Sequence, residues 1–426
     1  MNISDTIIKE NEKDGLSLEQ IKESLSQSIQ GRDLKKVLLL PPDITRSNSG
    51  AGLLTSIYYE LINNTGAHVD ILPALGTHAP MTIDEQIAFF GETIPADRFL
   101  VHKWRGGVTK IGEVPASFVR EVSEGVMDES IDVEVSNYLL DTSYDLILSI
   151  GQVVPHEVVG MANYTKNIVV GCGGSSFINK SHMLGAFYGL ERVMGRDYSP
   201  VRKVFDYAQQ NFLSKLPIEY VLTVTVTESE KVNIIGLYIG KERDGFTRAV
   251  KLSQKHNLNY VKAPLKTCVV WLDEREFHST WLGNKAIYRT RMAMADGGNL
   301  IILAPGVKMF GEDKENDRLI RKYGYIGREN ILKLCKTEPE LQNNLSAAAH
   351  LIHGSSDGRF NITYATKYLS REEVEGAAFD YMPFDEAVKK YNPETLKQGY
   401  SIMPDGEEVY FIGNPALGLW VLEGAF

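Results

Sequence analysis

Three histidines and a lysine are the residues of this sequence best suited to chemistry, because His78 and His156 follow predicted strands, and one strand and a glycine-rich loop separate Lys166 from His182. His78 follows Gly-Thr, His156 follows Val-Val-Pro, Lys166 comes ten residues after His156, and His182 comes sixteen residues after Lys166. Imidazole is the side chain best suited to acid/base work near neutral pH. The spacing matches no standard zinc motif. Taken singly, each of the four residues also fits an ordinary loop, surface or helix-cap role.

Two further segments carry groups that could bind an anion. Pro41–Arg46 places Asp43 and Arg46 after the first predicted strand, and a guanidinium there can hold a carboxylate or phosphate with two hydrogen bonds. The alternative is a solvated turn in which Asp43 caps the next helix. The loop that contains Gly173 and Gly174 could cradle a phosphate with its backbone N–H groups, although it matches no Walker or dinucleotide fingerprint.

The second half of the chain offers one comparable pair. Trp281 and Lys285 are four residues apart, so they share a face of a predicted helix over residues 280–295. A lysine that covers an aromatic ring with its aliphatic stem is the alternative. The remaining histidines are expected to be ordinary structural residues: His68, His102, His256, His278, His350 and His353.

The elements that must position these residues alternate between strand and helix. Strands are predicted at 36–40, 68–75, 99–104, 132–140, 145–154 and 167–172, with helices at 51–64, 83–90, 181–194 and 201–212. Short apolar strands of this kind suit a buried and mainly parallel sheet. Ligands of such sheets bind beyond the carboxyl ends of the strands, which is where the polar residues stand.

The strand and helix pattern restarts after a polar stretch at 253–262, which we interpret as a linker. The sequence therefore predicts two α/β domains with mainly parallel sheets and the active site in the cleft between them. We expect a first domain over residues 1–258 and a smaller one over 263–405. The tail, residues 408–426, is a candidate to pack back on the first domain.

Composition limits the class of protein. The chain of 426 residues has a formal net charge of −10 without a Lys/Arg block, which argues against a nucleic-acid or anionic-membrane partner. No apolar run reaches the ~20 residues of a membrane span, and the polar first thirty residues do not resemble a secretory signal. Three distant cysteines form neither a disulfide framework nor a Cys-based zinc site: Cys172, Cys268 and Cys335. We expect a cytoplasmic protein.

Taken together, these motifs resemble the lactate racemase family of nickel-pincer enzymes. The resemblance rests on Pro-Pro-Asp-x-Thr-Arg at 41–46, Gly-Thr-His at 76–78, Pro-His at 155–156, and the ten- and sixteen-residue steps to Lys166 and His182. Trp281 with Lys285, followed by Gly-Gly-x-Leu-Ile-Ile at 297–302, extends it into the second domain.

The resemblance implies a cofactor, the nickel-pincer nucleotide. This pyridinium mononucleotide has two sulfur-bearing arms and holds Ni(II) through sulfur, ring carbon and sulfur. His182 would be the fourth ligand of a planar nickel ion, for which imidazole is a suitable donor. Lys166 would be joined to one arm, while Asp43, Gly173 and Gly174 would help to seat the nucleotide.

The resemblance also implies an isomerase, a racemase or epimerase of a 2-hydroxy acid. Removing hydride from such an acid leaves a stable 2-keto acid, so a hydride-accepting cofactor makes the reaction accessible. His78 and His156 would be the two acid/bases, and Arg46, Lys285 and Trp281 would bind the substrate. The implied partners are the small-molecule substrate and the cofactor-synthesis enzymes that load the protein, with no nucleic acid and no membrane.

The chain departs from the family pattern in two places. Residues 157–165 read Glu-Val-Val-Gly-Met-Ala-Asn-Tyr-Thr, and Leu282 stands where the family prototype has a glutamine. We therefore expect different phosphate contacts and a substrate other than lactate. Two alternatives stay open: a non-catalytic nucleotide- or metabolite-binding homologue, and a metal-dependent hydrolase that uses the same histidines.

Overall fold

The computed structural model describes residues 6–228 and 231–425. The chain divides into two compact units: unit 1 is Met1–Gly185 with Val193–Asn257, and unit 2 is Ala186–Arg192 with Leu258–Phe426. The start of the polar N-terminal stretch and the last residue of the tail lie outside the described residues. Each unit has its own mainly parallel sheet, which confirms the predicted α/β class.

The strands up to residue 240 all belong to unit 1. They are β1 (Ile7–Glu10), β2 (Lys36–Leu40), β3 (His68–Ile71), β4 (Val108–Val114), β5 (Ile131–Ser136), β6 (Leu146–Gln152), β7 (Pro155–His156), β8 (Gly160–Met161), β9 (Ile218–Glu228) and β10 (Lys231–Gly240). The α-helices over the same part of the chain are α1 (Leu18–Ile29), α2 (Ala51–Asn63), α3 (Ile83–Phe90), α4 (Ala116–Val122), α5 (Ser175–Tyr188), α6 (Leu190–Val193), α7 (Pro200–Ala208) and α8 (Arg243–His256).

The main sheet of unit 1 has the order β1-β10-β9-β6-β2-β3. Strands β3, β2, β6 and β9 run parallel, and β9 and β10 form an antiparallel hairpin. Val37–Leu40 in β2 are fully buried, as expected of a parallel strand that is covered on both faces. The central strands therefore give the following loops a rigid base.

Two predicted strands of unit 1 lie outside this sheet. Residues 132–140 contribute β5, which pairs with β4 in a separate antiparallel ribbon, and residues 99–104 make only an isolated bridge between Ile71 and Phe99. A short apolar run does not specify which partner it pairs with, so the sequence pattern assigned both to the wrong place.

The predicted strand at 167–172 is a π-helix, Asn167–Gly171. The side chain of Asn167 donates to the Leu40 carbonyl and to Ser149 Oγ, both at 3.0 Å, which ties this segment to the ends of β2 and β6. The backbone N–H of Cys172 in turn donates to the carbonyl of Asn167 at 3.0 Å. The β-branched run between them favours a strand, but these bonds and complete burial determine the local structure.

The strands of unit 2 are β11 (Asn259–Val261), β12 (Leu265–Trp271), β13 (Met294–Ala304), β14 (Asn361–Thr366), β15 (Asp380–Pro383), β16 (Gly399–Ile402), β17 (Glu408–Ile412) and β18 (Trp420–Leu422). Its further helices are α9 (Thr280–Gly283), α10 (Lys285–Tyr288), α11 (Lys314–Tyr323), α12 (Arg328–Thr337), α13 (Pro339–Asn343), α14 (Leu345–His353), α15 (Arg371–Gly376) and α16 (Phe384–Lys390). The sheet order is β15-β14-β13-β12-β17-β16, and only β16 is antiparallel to its neighbour. No helix in the described part of the chain is long and apolar enough to cross a membrane.

Three segments differ from the predicted domain plan. The tail, a candidate to pack on unit 1, is part of unit 2, where β17 pairs with β12 and β18 pairs with β11. The predicted linker is the last turn of α8 followed by β11. Ala186–Arg192 belongs to unit 2, where Glu191 forms an ion pair with the fully buried Arg291. A buried guanidinium without such a partner would be strongly destabilising.

Gly160 combines a left-handed backbone with close packing against another segment of unit 1. Its φ is +87°, and a Cβ there would lie 2.0 Å from the Arg196 carbonyl oxygen, whereas Gly66 has φ +88° with nothing within 4 Å of its Cβ position. We predict that Gly66→Ala lowers the free energy of unfolding by about 1–2 kcal/mol, and that Gly160→Ala costs a further ~1–3 kcal/mol from the overlap. Urea unfolding followed by circular dichroism measures both, and equal losses would contradict the packing argument.

Candidate functional site

Three neighbouring parallel strands of unit 1 end at one edge of its sheet. Strands β3, β2 and β6 are adjacent in that order, so the segments that follow them emerge side by side. These segments carry His78, Asp43 and His156 respectively. The structure thus brings the strand-end residues predicted from the sequence to a common edge, as ligand sites of parallel sheets require.

Asp43 and His78 form a hydrogen-bonded pair. Nδ1 of His78 lies 2.6 Å from Oδ2 of Asp43, and the other carboxylate oxygen accepts from the backbone N–H and hydroxyl of Thr45. Burial acts to raise the pKa of Asp43, but the hydrogen bonds from His78 and Thr45 outweigh it and keep that pKa below its ordinary value. Asp43 is buried while His78 is 57% exposed. The carboxylate therefore anchors an imidazole whose Nε2 is open.

His156 is held in a different way. It ends the short strand β7, and its Nδ1 accepts a hydrogen bond of 3.1 Å from the backbone N–H of Val158. Burial, together with the nearby positive charges of Lys166 and Arg46, lowers the pKa of His156 well below its ordinary value, against the opposing charge of Glu157. The residue is buried and neutral at physiological pH.

Lys166 follows a strained stretch of backbone. Asn163 and Tyr164 both have positive φ, at +65° and +58°, although neither is glycine. Their neighbourhood is held by the fully buried Arg202, which donates to the carbonyl oxygens of Met161 and Asn163. Strain of this kind costs of order 1–3 kcal/mol per residue and is typical of functional sites.

The amine of Lys166 is desolvated and lies near charges of both signs, Arg46 and Arg202 on one side and Glu157 and Asp43 on the other. Desolvation is the main cause that lowers its pKa to about 8, and the charge of Arg46 adds to it. Arg46 itself interrupts a 3₁₀ helix with non-helical backbone angles. Within the described residues neither side chain has a hydrogen bond or ion pair, so two cations share an edge without a carboxylate partner of their own. Such a pair is suited to an anion.

His182 lies in the middle of α5, not at a helix cap. Its Nδ1 donates to the Ile178 carbonyl oxygen at 2.6 Å, one turn earlier, which leaves Nε2 with a free lone pair. Burial lowers the pKa of His182 to about 4, and the charge of Lys166 contributes to this shift. A neutral imidazole fixed in this tautomer is the form that binds a metal ion.

Gly173 and Gly174 are explained by close packing of the backbone. A Cβ on Gly173 would lie 1.8 Å from the Val169 carbonyl oxygen, and one on Gly174 would overlap the side chain of Glu134. The Glu134 carboxylate also accepts from the backbone N–H of Ser176, at the start of α5. We predicted a phosphate-binding site at this helix end, but the negatively charged Glu134 already caps it. The geometry gives no support to Gly173 and Gly174 as cofactor contacts.

Trp281 and Lys285 of unit 2 do not share one continuous helix. The predicted helix is broken into α9 and α10 at Asn284, whose side-chain oxygen accepts from the Tyr364 hydroxyl at 2.7 Å. The ammonium of Lys285 lies 5.6 Å from the centre of the Phe277 ring, so this lysine lies over an aromatic ring other than that of Trp281.

His350 is the residue of unit 2 whose setting was missed. Its ring stacks on Trp281 at 4.1 Å, and its Nε2 is 3.0 Å from the Tyr325 hydroxyl. Burial lowers the pKa of His350 to about 3, so it packs as a neutral ring. No sequence signal joins positions 281 and 350. The Asp43–His78 pair, in contrast, could have been anticipated, since the two residues follow adjacent parallel strands.

Comparisons with known proteins identify relatives of this chain. Residues 5–192 match the family model described as Lactate racemase N-terminal domain. The chain is 23% identical over 320 residues to the lactate racemase of Thermoanaerobacterium thermosaccharolyticum, which covers 70% of this chain and 68% of that protein.

Two solved structures share the fold. A crystal structure of a protein from Thermotoga maritima is 26% identical, with a TM-score of 0.77, and the match covers 97% of this chain and 100% of that one. The lactate racemase apoprotein from Thermoanaerobacterium thermosaccharolyticum is 16% identical, with a TM-score of 0.66, over 96% of this chain and 90% of that one. These findings support a lactate racemase-like family for residues 5–192, and the 16%-identical structure shows that the fold of the whole chain is similar.

Proposed function

We propose that this protein is a racemase or epimerase of a 2-hydroxy acid that works with a nickel-pincer nucleotide. The match to this family supports a racemase-type function. The observation that carries the finer proposal is His182, a partly buried imidazole whose Nδ1 donates to a carbonyl oxygen and whose Nε2 keeps its lone pair. A histidine that binds a metal commonly donates its other ring N–H to a backbone carbonyl, and this is the arrangement of His182.

The donor set fits a metal that arrives with most of its ligands. Within residues 6–228 and 231–425, no three His, Cys, Asp or Glu side chains are grouped so that they could hold a metal ion. A single histidine completes a metal centre only when the other donors come from a bound group, as the pincer nucleotide would supply. A hydrolase that holds its metal with protein side chains alone needs at least three ligands, so this arrangement favours the pincer cofactor.

Lys166 and Arg46 fit the remaining parts of such a cofactor. A lysine with a pKa of about 8 has an appreciable fraction of free amine near neutral pH, which is the form that can become linked to a cofactor arm. The guanidinium of Arg46 would hold the carboxylate of the substrate, and Lys285 and Trp281 remain proposed substrate contacts of unit 2. Asp43 holds His78, so we assign it to the histidine and not to the nucleotide.

The chemistry divides between the cofactor and the chain. When bound, the cofactor supplies a carbon that accepts hydride from the substrate and returns it. The residues of the chain bind the carboxylate, exclude water and move the hydroxyl proton, for which His78 and His156 are the candidates. A protein that only bound a nucleotide would have no use for a carboxylate-anchored, half-exposed imidazole such as His78.

Assays with a panel of single-enantiomer 2-hydroxy acids are the direct test of this function. We expect cofactor-loaded protein to racemise or epimerise at least one single-enantiomer 2-hydroxy acid, and lactate not to give the highest kcat/KM. Leu282 is partly buried against the core of unit 2 and has no polar group to offer a small hydroxy acid. Loss of optical purity is the measurement, and protein expressed without the cofactor-making enzymes is the control. If no acid reacts, the proposed function is wrong; if lactate is best, the inference from Leu282 is wrong.

His182→Ala should abolish most nickel retention, because the variant loses the one protein donor to the metal. Metal analysis of protein purified from cells that make the cofactor gives nickel per chain. His256→Ala is the matched control, since this histidine only pairs with Glu12 on the surface of the same unit. A variant at 182 that holds as much nickel as the control would remove His182 from the metal site.

Lys166→Ala should remove a covalent adduct. At a pKa of about 8 roughly a tenth of the amine is free at pH 7, against well under a thousandth for an ordinary lysine. Intact-mass measurement of loaded wild type should therefore show added mass that Lys166→Ala lacks and that the exposed-lysine variant Lys203→Ala retains. An active wild type without added mass would mean noncovalent binding.

A further inference from the structure

We propose that His350 is a positioning residue that fixes the indole of Trp281 as an apolar surface for the carbon chain of the substrate. His350 lies on α14 and Trp281 on α9, and their rings stack inside unit 2. This inference deepens the proposed function and rests on it for Trp281 as a substrate contact. The arrangement of the two rings follows from the geometry of unit 2 alone.

The imidazole of His350 covers one face of the Trp281 indole. The ring centres are 4.1 Å apart and the ring planes are inclined by 22°. Stacked aromatic pairs of this kind contribute stability beyond the apolar area that they bury. His350 is 8% exposed, whereas Trp281 is only partly buried against the core of unit 2. The stack therefore holds the indole on its buried side and leaves part of Trp281 exposed.

A chain of hydrogen bonds fixes the orientation of this imidazole. The Thr280 hydroxyl donates to the Phe310 carbonyl oxygen at 3.0 Å, so the Tyr325 hydroxyl, 2.8 Å from Thr280 Oγ1, must donate to Thr280. The hydrogen of Tyr325 is then used, and Nε2 of His350, at 3.0 Å, must carry a proton and donate it to the Tyr325 oxygen. Turning the imidazole over would leave a buried N–H without its acceptor, which is destabilising.

The chain of hydrogen bonds ends at the carbonyl that also holds the backbone of Trp281. The Phe310 carbonyl oxygen accepts from the backbone N–H of Trp281 at 2.8 Å as well as from the Thr280 hydroxyl. The ring of Tyr325 is held in turn by stacking on Phe379, with 4.6 Å between the ring centres. The backbone and the side chain of Trp281 thus belong to one network. The indole cannot turn without losing the stack on which that network is centred.

The chemistry of Trp281 indicates which part of a substrate this surface suits. An indole is apolar over most of its area, and Leu282, the next residue, adds no polar group. A 2-hydroxy acid whose carboxylate is bound by a cation can lay the rest of its carbon chain on such a surface, and each added carbon increases the apolar area that is buried. We therefore expect the position of the indole to affect long 2-hydroxy acids and to have little effect on short ones.

The positioning of Trp281 can be measured without cofactor or substrate. Near-UV circular dichroism reports how firmly an indole is fixed, and the difference from the same protein with Trp281→Phe isolates this one of the four tryptophans. We expect Tyr325→Phe to reduce the Trp281 signal and His350→Leu to remove most of it. Tyr391→Phe is the matched control, because it removes the hydroxyl of another buried tyrosine of unit 2, which donates to Glu407 in a separate core. Trp281 signals in both variants equal to that of the control overturn the proposal.

Activity of the loaded protein gives a second, separate readout. For the longest 2-hydroxy acid that the wild type converts, His350→Leu should lower kcat/KM by about 2–10-fold, the size of one lost stacking contact, mainly through KM. The shortest acid should be little affected, and His350→Phe, which keeps a ring against the indole, should recover most of the loss. Equal losses for long and short acids would mean a general structural defect and overturn the role in substrate binding. An inactive wild type with the expected spectra would instead count against the proposed function and leave the positioning of Trp281 standing.

Discussion

Desolvation of positive charge is the constraint on which the candidate site depends. Lys166, His156 and His182 all have lowered pKa values, burial is the largest cause in each case, and Lys166 adds to the shifts of both histidines. Between about pH 4 and the ordinary pKa of histidine, the imidazole of His182 is protonated in the unfolded chain but not in the folded one. The free energy of unfolding of unit 1 therefore increases as the pH rises through this range. The burial destabilises unit 1 at acidic pH and keeps the imidazoles of His156 and His182 neutral at physiological pH.

Rigid backbone on either side of Lys166 maintains that dry environment. Before it, Asn163 and Tyr164 hold positive φ angles while Arg202 donates to the carbonyl of Asn163. After it, the Asn167 side chain ties the π-helix to the strand ends. A lysine on an ordinary surface turn would move out to water and regain its usual pKa. Here the flanking hydrogen bonds oppose this movement, so local backbone strain and amine reactivity have a common origin.

Much of this arrangement could be predicted from sequence, because it depends on local pattern. Continuous apolar runs located β2, β3 and β6, and the residues that follow them were the correct place to look for polar groups. Long-range side-chain bonds were not predictable in the same way. The bonds of Asn167 hold a β-branched run as a π-helix, and the bond of Asn284 to Tyr364 lies where a predicted helix is broken in two. Glu134 caps the start of α5, where the glycine loop was expected to bind a phosphate. Each effect comes from a partner distant in sequence, which periodicity does not encode.

The segment that departs from the family pattern is also the segment that makes the two histidines different. Residues 157–165 contain Val158, whose N–H fixes His156, and Glu157, whose charge opposes the surrounding cations. They also contain Gly160, whose positive φ closes the turn between β7 and β8. The backbone of this loop therefore sets which ring nitrogen of His156 carries the proton when the ring is neutral. The chemistry open to His156 therefore depends on the backbone donor that follows it as well as on the residue type.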